Sequence, residues 1–202
     1  MPTASSVRKA TLADAPRLAQ ALASAFQEDP VITWVFPGEQ RRRGVLPAFM
    51  EFRLRRLAFP KDEVWMTGDG AAAAAWIPPP GTWQMSRFQR LRLLPALIRF
   101  LGPRTASVLG GLNRMEEQHP HDPSHWYLFI LGTEQAAQGR GLGSALLSHV
   151  LARIDADHQP AYLEASHERS IALYGRHGFE VTSELAIPGG PSIWPMWRGS
   201  RP

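Results

Sequence analysis

The 202-residue chain carries 22 Lys and Arg against 18 Asp and Glu, a net charge of +4, and is 44% hydrophobic. That size and apolar content fit one compact α/β domain over residues 1–202; no apolar run is long enough to cross a membrane, and the N-terminal MPTASSVRKATLADAP lacks the core of a secretory signal. The absence of cysteine excludes disulfides, thiolate–metal sites and cysteine nucleophiles together, and a cytoplasmic protein is the default expectation.

Val7 to Ala10 reads as a short first strand, and Thr11-Leu-Ala-Asp14 as a capping-box-like helix start with Asp in place of the usual Glu. Leu18, Leu22 and Phe26 give that helix its apolar face, and Asp29-Pro30 restarts the chain, since Asp caps and Pro is tolerated in a first turn. A longer helix is predicted from Gln40 to Leu57 despite Gly44 and Pro47; its Arg41, Arg42, Arg43, Arg53, Arg55 and Arg56 read most simply as a solvated face. Glu63 to Thr67 and Ala71 to Ile77 are strands about an Asp69-Gly70 turn. Gly81-Thr82 leads into an amphipathic basic pair of helices, one carrying Phe88, Leu91, Leu94, Leu97 and Ile98, the other running from Pro103 or Arg104 to about Gln118. Packing over the sheet or an oligomer contact (monomer or homodimer) accounts for this pair more simply than a membrane surface. In His119-Pro-His121-Asp-Pro-Ser-His125 the prolines are expected to stiffen the loop and fan the histidines apart, so no metal site is expected.

The next stretch, WYLFILGTEQAAQGRGLGSALLS from Trp126 to Ser148, organises the rest. Its apolar first half is a buried strand, Gly139, Gly141 and Gly143 make a turn, and Leu142, Ala145, Leu146, Val150 and Ile154 recur at helical spacing. A helix N-terminus offers unpaired amides and a positive dipole end, and glycines let a phosphate approach them. The mononucleotide loop is ruled out because no lysine follows the glycines, and the dinucleotide fingerprint fails because Gly143 comes one place early. The positive charge is almost all arginine, with only Lys9 and Lys61, and suits a cofactor with several phosphates; a nucleic acid is not expected. Ala161 to Ser166 is a strand parallel to the central one if the helix is a right-handed crossover. Ser170 to Arg176 is a short helix capped by Gly178, Phe179 to Ile187 an outer strand, and Gly189-Gly190 a turn into a last strand with Trp194 and Trp197.

Gln138-Gly-Arg-Gly141-Leu-Gly143 after a strand resembles the acetyl-CoA motif of the GCN5-related N-acetyltransferases (GNAT). The resemblance continues through Leu163-Glu-Ala-Ser166 and Ile171-Ala-Leu-Tyr174-Gly-Arg-His-Gly178-Phe179; with Asp29-Pro30 and the Gly70-to-Pro78 strand it is nearest to the branch containing puromycin N-acetyltransferase. It implies a mixed sheet of about six to seven strands flanked by helices, with a bulged central strand and a splayed parallel pair that acetyl-CoA enters, and direct acetyl transfer to an amine.

By that resemblance Leu131, Gly132 and Thr133 face the pantetheine, the Leu131 amide polarises the thioester carbonyl, and Gln138, Gly139, Arg140, Gly141, Leu142, Gly143 and Ser144 hold the pyrophosphate. The family has Val and Pro where this chain has Thr133 and Gln135, which leaves backbone contacts available; Ser170 stands where Asn often bonds the pantetheine. Tyr174 is the expected general acid, since a phenol stays protonated at neutral pH. Glu28, Asp29, Glu116, Glu117 and Glu164 all suit a general base, with Glu164 favoured because its strand borders the cleft. The acceptor is expected between the first helices and the final hairpin, where Phe26, Trp34, Phe36, Trp194 and Trp197 lie in sequence beside Glu28 and Asp29; a small-molecule amine is favoured, with a protein lysine or N-terminus as rival. A degenerate acyl-CoA sensor is the other alternative. No Ser–His pair is identifiable from local spacing.

Overall fold

Residues 6–79 and 87–200 are described by a computed structural model. Thr11 and Asp14 close the capping box through the Thr11 amide at 2.8 Å, which sets the entry to α1 (Ala15–Ala25) behind strand β1 (Val7–Lys9). Asp29 then caps α2 (Pro30–Val35), and α3 (Glu39–Arg53) follows. β2 (Val64–Thr67) and β3 (Ala72–Ile77) form the expected hairpin. Helices α4 (Arg87–Leu101) and α5 (Thr105–Glu117) precede the central strand β4 (Trp126–Thr133); the Gly81-Thr82 lead-in lies outside the described residues. The chain ends through α6 (Leu142–Ala156), β5 (Ala161–Ala165), α7 (Ile171–Arg176) and the strands β6 (Glu180–Val181), β7 (Leu185–Ala186) and β8 (Ser192–Arg198). Among the described residues the mixed sheet has eight strands, in the order β1-β2-β3-β4-β5-β8-β6 with β7 on β8, and β4–β5 is a parallel pair.

Two apolar layers sandwich the sheet, and β3 shows why its alanines make a strand. Ala73 and Ala75 pack toward α1 and α3, while Ala72, Ala74 and Trp76 pack toward α6. A strand covered on both faces is apolar throughout, and side chains this small let the helices approach closely. The same closeness acts at Gly132, where an added Cβ would lie 2.7 Å from Leu22 Cδ2 and 2.9 Å from Phe26 Cε2.

The site is positioned by a break in β4. Ala75 pairs with Ile130 but Trp76 with Leu128, so Phe129 is an extra residue, a β-bulge. The faces agree: Leu128 packs on the α6 side, whereas Phe129 and Ile130 both pack on the α1 side. Pairing with β5 runs only from Trp126–Ala161 to Leu128–Leu163. Beyond the bulge the parallel strands part, and a cleft opens between them.

Three expectations change. The helix predicted to Leu57 is α-helical only to Arg53 and continues as a π turn over Leu54–Ala58. Its arginines are not all solvated: Arg42 is 5% exposed and donates to the carbonyls of Gln27 and Phe36, each at 2.8 Å. The outer strand from Phe179 to Ile187 is broken into β6 and β7, because it meets Pro195 of β8, which has no N–H to donate; Thr182 bonds the Pro195 carbonyl and the ladder stops.

Candidate active site

The cleft is a cavity of about 580 Å³. Leu131, Gly132 and Thr133 form one wall, Ser170, Leu173 and Tyr174 another, and Gln138, Gly139 and Gly141 to Ser144 its end. At that end the first helical bond of α6 is Ala145 N–H to Gly141 carbonyl at 2.9 Å, which leaves the preceding amides without helical acceptors. Gly141 caps the helix at φ +77°, a left-handed conformation that costs a glycine little, and a Cβ there would meet nothing within 4 Å. Room and donors therefore fit a pyrophosphate. The Gln138 side chain spans the turn, its Nε2 donating to the Thr133 carbonyl at 3.1 Å. Arg140 is exposed and does not line the cavity.

Tyr174 is partly buried against the α6-side core, and burial together with the Asp29 carboxylate pushes its phenol well above the ordinary value. Asp29 lies 8% exposed in the same wall. Its Oδ1 accepts the Ile32 amide at 3.0 Å, and its Oδ2 accepts the Ser166 hydroxyl, a partner not foreseen in the sequence. Ser144 Oγ lies 2.7 Å from His177 Nε2, so a Ser–His pair does exist; it is formed between the turn of α6 and the end of α7, which no local spacing reveals. Burial and the neighbouring Arg176 and Arg198 lower the His177 pKa, which keeps the imidazole neutral.

Glu164 stands where the cleft meets a second cavity of about 560 Å³ beneath α4 and α5. Here the expectation that prolines fan the histidines apart fails. His119 and His125 turn inward, 7% and 9% exposed, because the β4 entry folds the loop back over Tyr127 and Tyr162. His119 Nδ1 lies 3.3 Å from Glu164 Oε1, His119 Nε2 lies 3.3 Å from His125 Nε2, and His125 Nδ1 lies 2.8 Å from the Pro123 carbonyl. The carbonyl only accepts, so His125 donates from Nδ1 and, when neutral, accepts at Nε2 from His119. His119 thus bridges His125 and the Glu164 carboxylate, and its tautomer decides which of the two receives its N–H. Burial, with Glu164 as the next cause, raises the phenol pKa of both Tyr127 and Tyr162. Among the described residues no group of three or more His, Asp or Glu is placed to hold a metal ion.

The other sequence candidates scatter. Glu28 is exposed and lines neither cavity, and Glu117 is exposed beside Arg114 at 3.0 Å. Glu116 lines the second cavity and is paired with Arg90. Trp34 packs against Gly111 and Gly190, and Trp194 joins the α6-side core opposite Ala165; neither lines a cavity. Phe36 is fully buried, Trp197 stacks edge-on to His125, and Phe26 alone of these aromatics reaches the cleft. Arg53, read as solvated, instead reaches both cavities.

A bulged strand, a parted parallel pair and a glycine-capped helix thus meet along one cleft. Residues 70–179, just over half of the chain, match the acetyltransferase (GNAT) family profile, and the chain belongs to that family. A mycothiol acetyltransferase of Mycobacterium sp. (strain JLS) is 31% identical over 142 residues, covering 65% of this chain and 46% of the relative. That of Corynebacterium aurimucosum is 28% identical over 127 residues, 57% of this chain and 42% of the relative, so the chain spans just under half the length of these curated relatives. A Corynebacterium glutamicum structure described as histone acetyltransferase HPA2 and related acetyltransferase is 27% identical with a TM-score of 0.74, covering 98% of this chain and 97% of that one. The Drosophila melanogaster polyamine N acetyltransferase, at 19% identity, TM-score 0.66 and coverages of 96% and 99%, shares the fold.

Proposed function

We propose that this protein transfers the acetyl group of acetyl-CoA directly to the primary amine of a small molecule. The observation that carries the reading is the single cleft running from the open amides of α6, past the bulged β4, to Tyr174 and Glu164. In this reading Gln138 to Ser144 hold the pyrophosphate, and Ser170 lies along the pantetheine arm. The Leu131 amide stabilises charge that develops on the thioester oxygen during attack.

Glu164 takes one proton from the acceptor ammonium. His119 Nδ1, 3.3 Å from the carboxylate, is the next acceptor in its Nε2–H tautomer, and from this pair the proton passes to solvent. The freed amine forms the C–N bond, the C–S bond breaks, and Tyr174 gives its proton to the departing thiolate. One proton leaves to solvent, the phenol's proton ends on the CoA thiol, and the second proton lost by nitrogen restores the Tyr174 phenol. No covalent acyl-enzyme is required: Ser144, though paired with His177, sits at the pyrophosphate end of the cleft.

The α4–α5 pair covers the approach beside Glu164 and supports a compact acceptor over a polypeptide. The mycothiol acetyltransferases at 28% and 31% identity point the same way, to a small-molecule acceptor. The test is release of CoA thiol from acetyl-CoA with small amines and peptides in parallel, with intact-mass analysis when no amine is present. Thiol release with a small amine and no acetylated protein is expected. Stoichiometric, turnover-competent acetylation of the protein, or higher kcat/KM on peptides, overturns the reading.

A further inference from the structure

The neck between the two cavities holds opposite charges that the acetyl-transfer chemistry does not use together. Glu164 and Arg53 both line the cleft and the second cavity, as do Tyr127 and Phe129. Arg53 is the last residue of α3, where the helix widens into the π turn, a distortion that recurs at functional sites. Its guanidinium lies 4.7 Å from the Phe129 ring centroid and 6.0 Å from that of Phe49, and no hydrogen bond or ion pair joins it to a described residue. The other arginines of the region are engaged: Arg90 with Glu116 and Asn113, Arg104 with the Trp34 carbonyl. Asp29 and the Tyr127 phenol act on it electrostatically, but no carboxylate is hydrogen-bonded to it: Asp29 accepts from Ser166 and Ile32, and Glu164 contacts His119.

A partly desolvated guanidinium whose N–H donors meet no acceptor is costly unless an anion completes it, and its flat fork suits a carboxylate. Past the neck the second cavity is mostly apolar, lined by Phe49 and Phe52 from α3, Leu94 and Leu97 from α4, Leu112 from α5 and Phe129 from β4; of its polar lining, Arg90, Asn113 and Glu116 are tied to one another. Its volume of about 560 Å³ holds an aryl or branched alkyl group with room to spare.

We propose that the acceptor is an amine bearing an adjacent carboxylate and an apolar side chain, of the apolar α-amino acid class: the carboxylate pairs with Arg53, the ammonium faces Glu164, and the side chain fills the cavity beneath α4 and α5. This rests on the small-amine reading above and names its substrate class. A polar acceptor such as an amino sugar leaves the apolar walls wet, and a simple amine leaves the guanidinium without an anion.

Binding is tested apart from chemistry. Equilibrium dialysis of radiolabelled phenylalanine and leucine, with CoA present, is run on the wild type, on Arg53→Met and on Leu94→Trp. Binding to the wild type is expected, weakened about tenfold or more in Arg53→Met and for phenylalanine also in Leu94→Trp, which fills the cavity without touching the charge. In turnover, the ratio of kcat/KM for phenylalanine over its decarboxylated amine is expected to exceed one in the wild type and to fall toward one in Arg53→Met. Absence of amino-acid binding to the wild type, unchanged binding in both variants, or a preference for the decarboxylated amine overturns the proposal. Amino-acid binding without any thiol release supports this site while overturning acetyl transfer, so the two failures are distinct.

Discussion

At the scale of single residues, Tyr174 is the sharpest case. Burial and the Asp29 carboxylate both oppose ionisation, so the phenol holds its proton throughout the neutral range. A group so protected suits proton donation only where a thiolate forms close by. Tyr174→Phe keeps the ring against Phe179 and deletes the donor, so kcat is expected to fall about 10²–10⁴-fold while acetyl-CoA affinity stays nearly constant. Stopped-flow turnover beside calorimetric titration of acetyl-CoA separates the two; wild-type kcat in the mutant returns Tyr174 to a packing role. Arg42 and Arg53 carry the opposite lesson. In sequence they belong to one arginine-rich helix, yet one ties two carbonyls and the other enters the cleft. Residue type and spacing distinguish neither from a solvated arginine, because what decides is the partner supplied by a distant segment.

Elements were legible where local chemistry sets them. The glycine turn into α6, the Thr11–Asp14 box, the Asp29 cap and the Asp69-Gly70 hairpin turn all follow from short-range donors, acceptors and φ preferences, and each stands where it was expected. The Gly141→Asp variant tests the most consequential of them. Its side chain would enter the open space of the cradle, at a φ of +77° that an L-residue adopts only under strain, with a negative charge facing the phosphates. The expected outcome is loss of the thermal shift caused by acetyl-CoA; an unchanged shift means the phosphates lie elsewhere. What the sequence hid depends on register between strands. The bulge at Phe129 shows only when β3 is paired with β4, and the break of the outer strand only when Pro195 is placed opposite Thr182. His119 and His125 were hidden for a similar reason, since Tyr127, Tyr162 and Glu164 draw them inward from two different strands.

Over the whole molecule, the buried histidines make stability depend on pH in a defined direction. His125 is held below its ordinary value of 6.5 by burial first, then by His119 and His121, against the opposing pull of the Pro123 carbonyl and Glu164. His177 is lowered by burial and by Arg176 and Arg198. For both, folding favours the neutral ring, so the unfolded chain binds protons first as pH falls below 6.5. Stability is thus full above that pH and is lost progressively as pH falls through the lower folded values. The carboxylates act later: Asp69, lowered by its bonds from Thr67 and the Ala71 amide, withdraws support only below its ordinary 3.8. The histidines also join parts far apart in the chain, His125 against β5 and β8, His177 against the turn of α6. Urea midpoints measured across the acid range are expected to be level above pH 6.5 and to decline below it, before any carboxylate-driven loss near 3.8. His125→Gln should flatten part of the first decline by removing the proton uptake of the unfolded state, whatever it costs at neutral pH. A wild-type midpoint that stays level until the carboxylate range would mean that the histidines take up protons as readily folded as unfolded, and that the inward-turned pair is hydrated rather than buried.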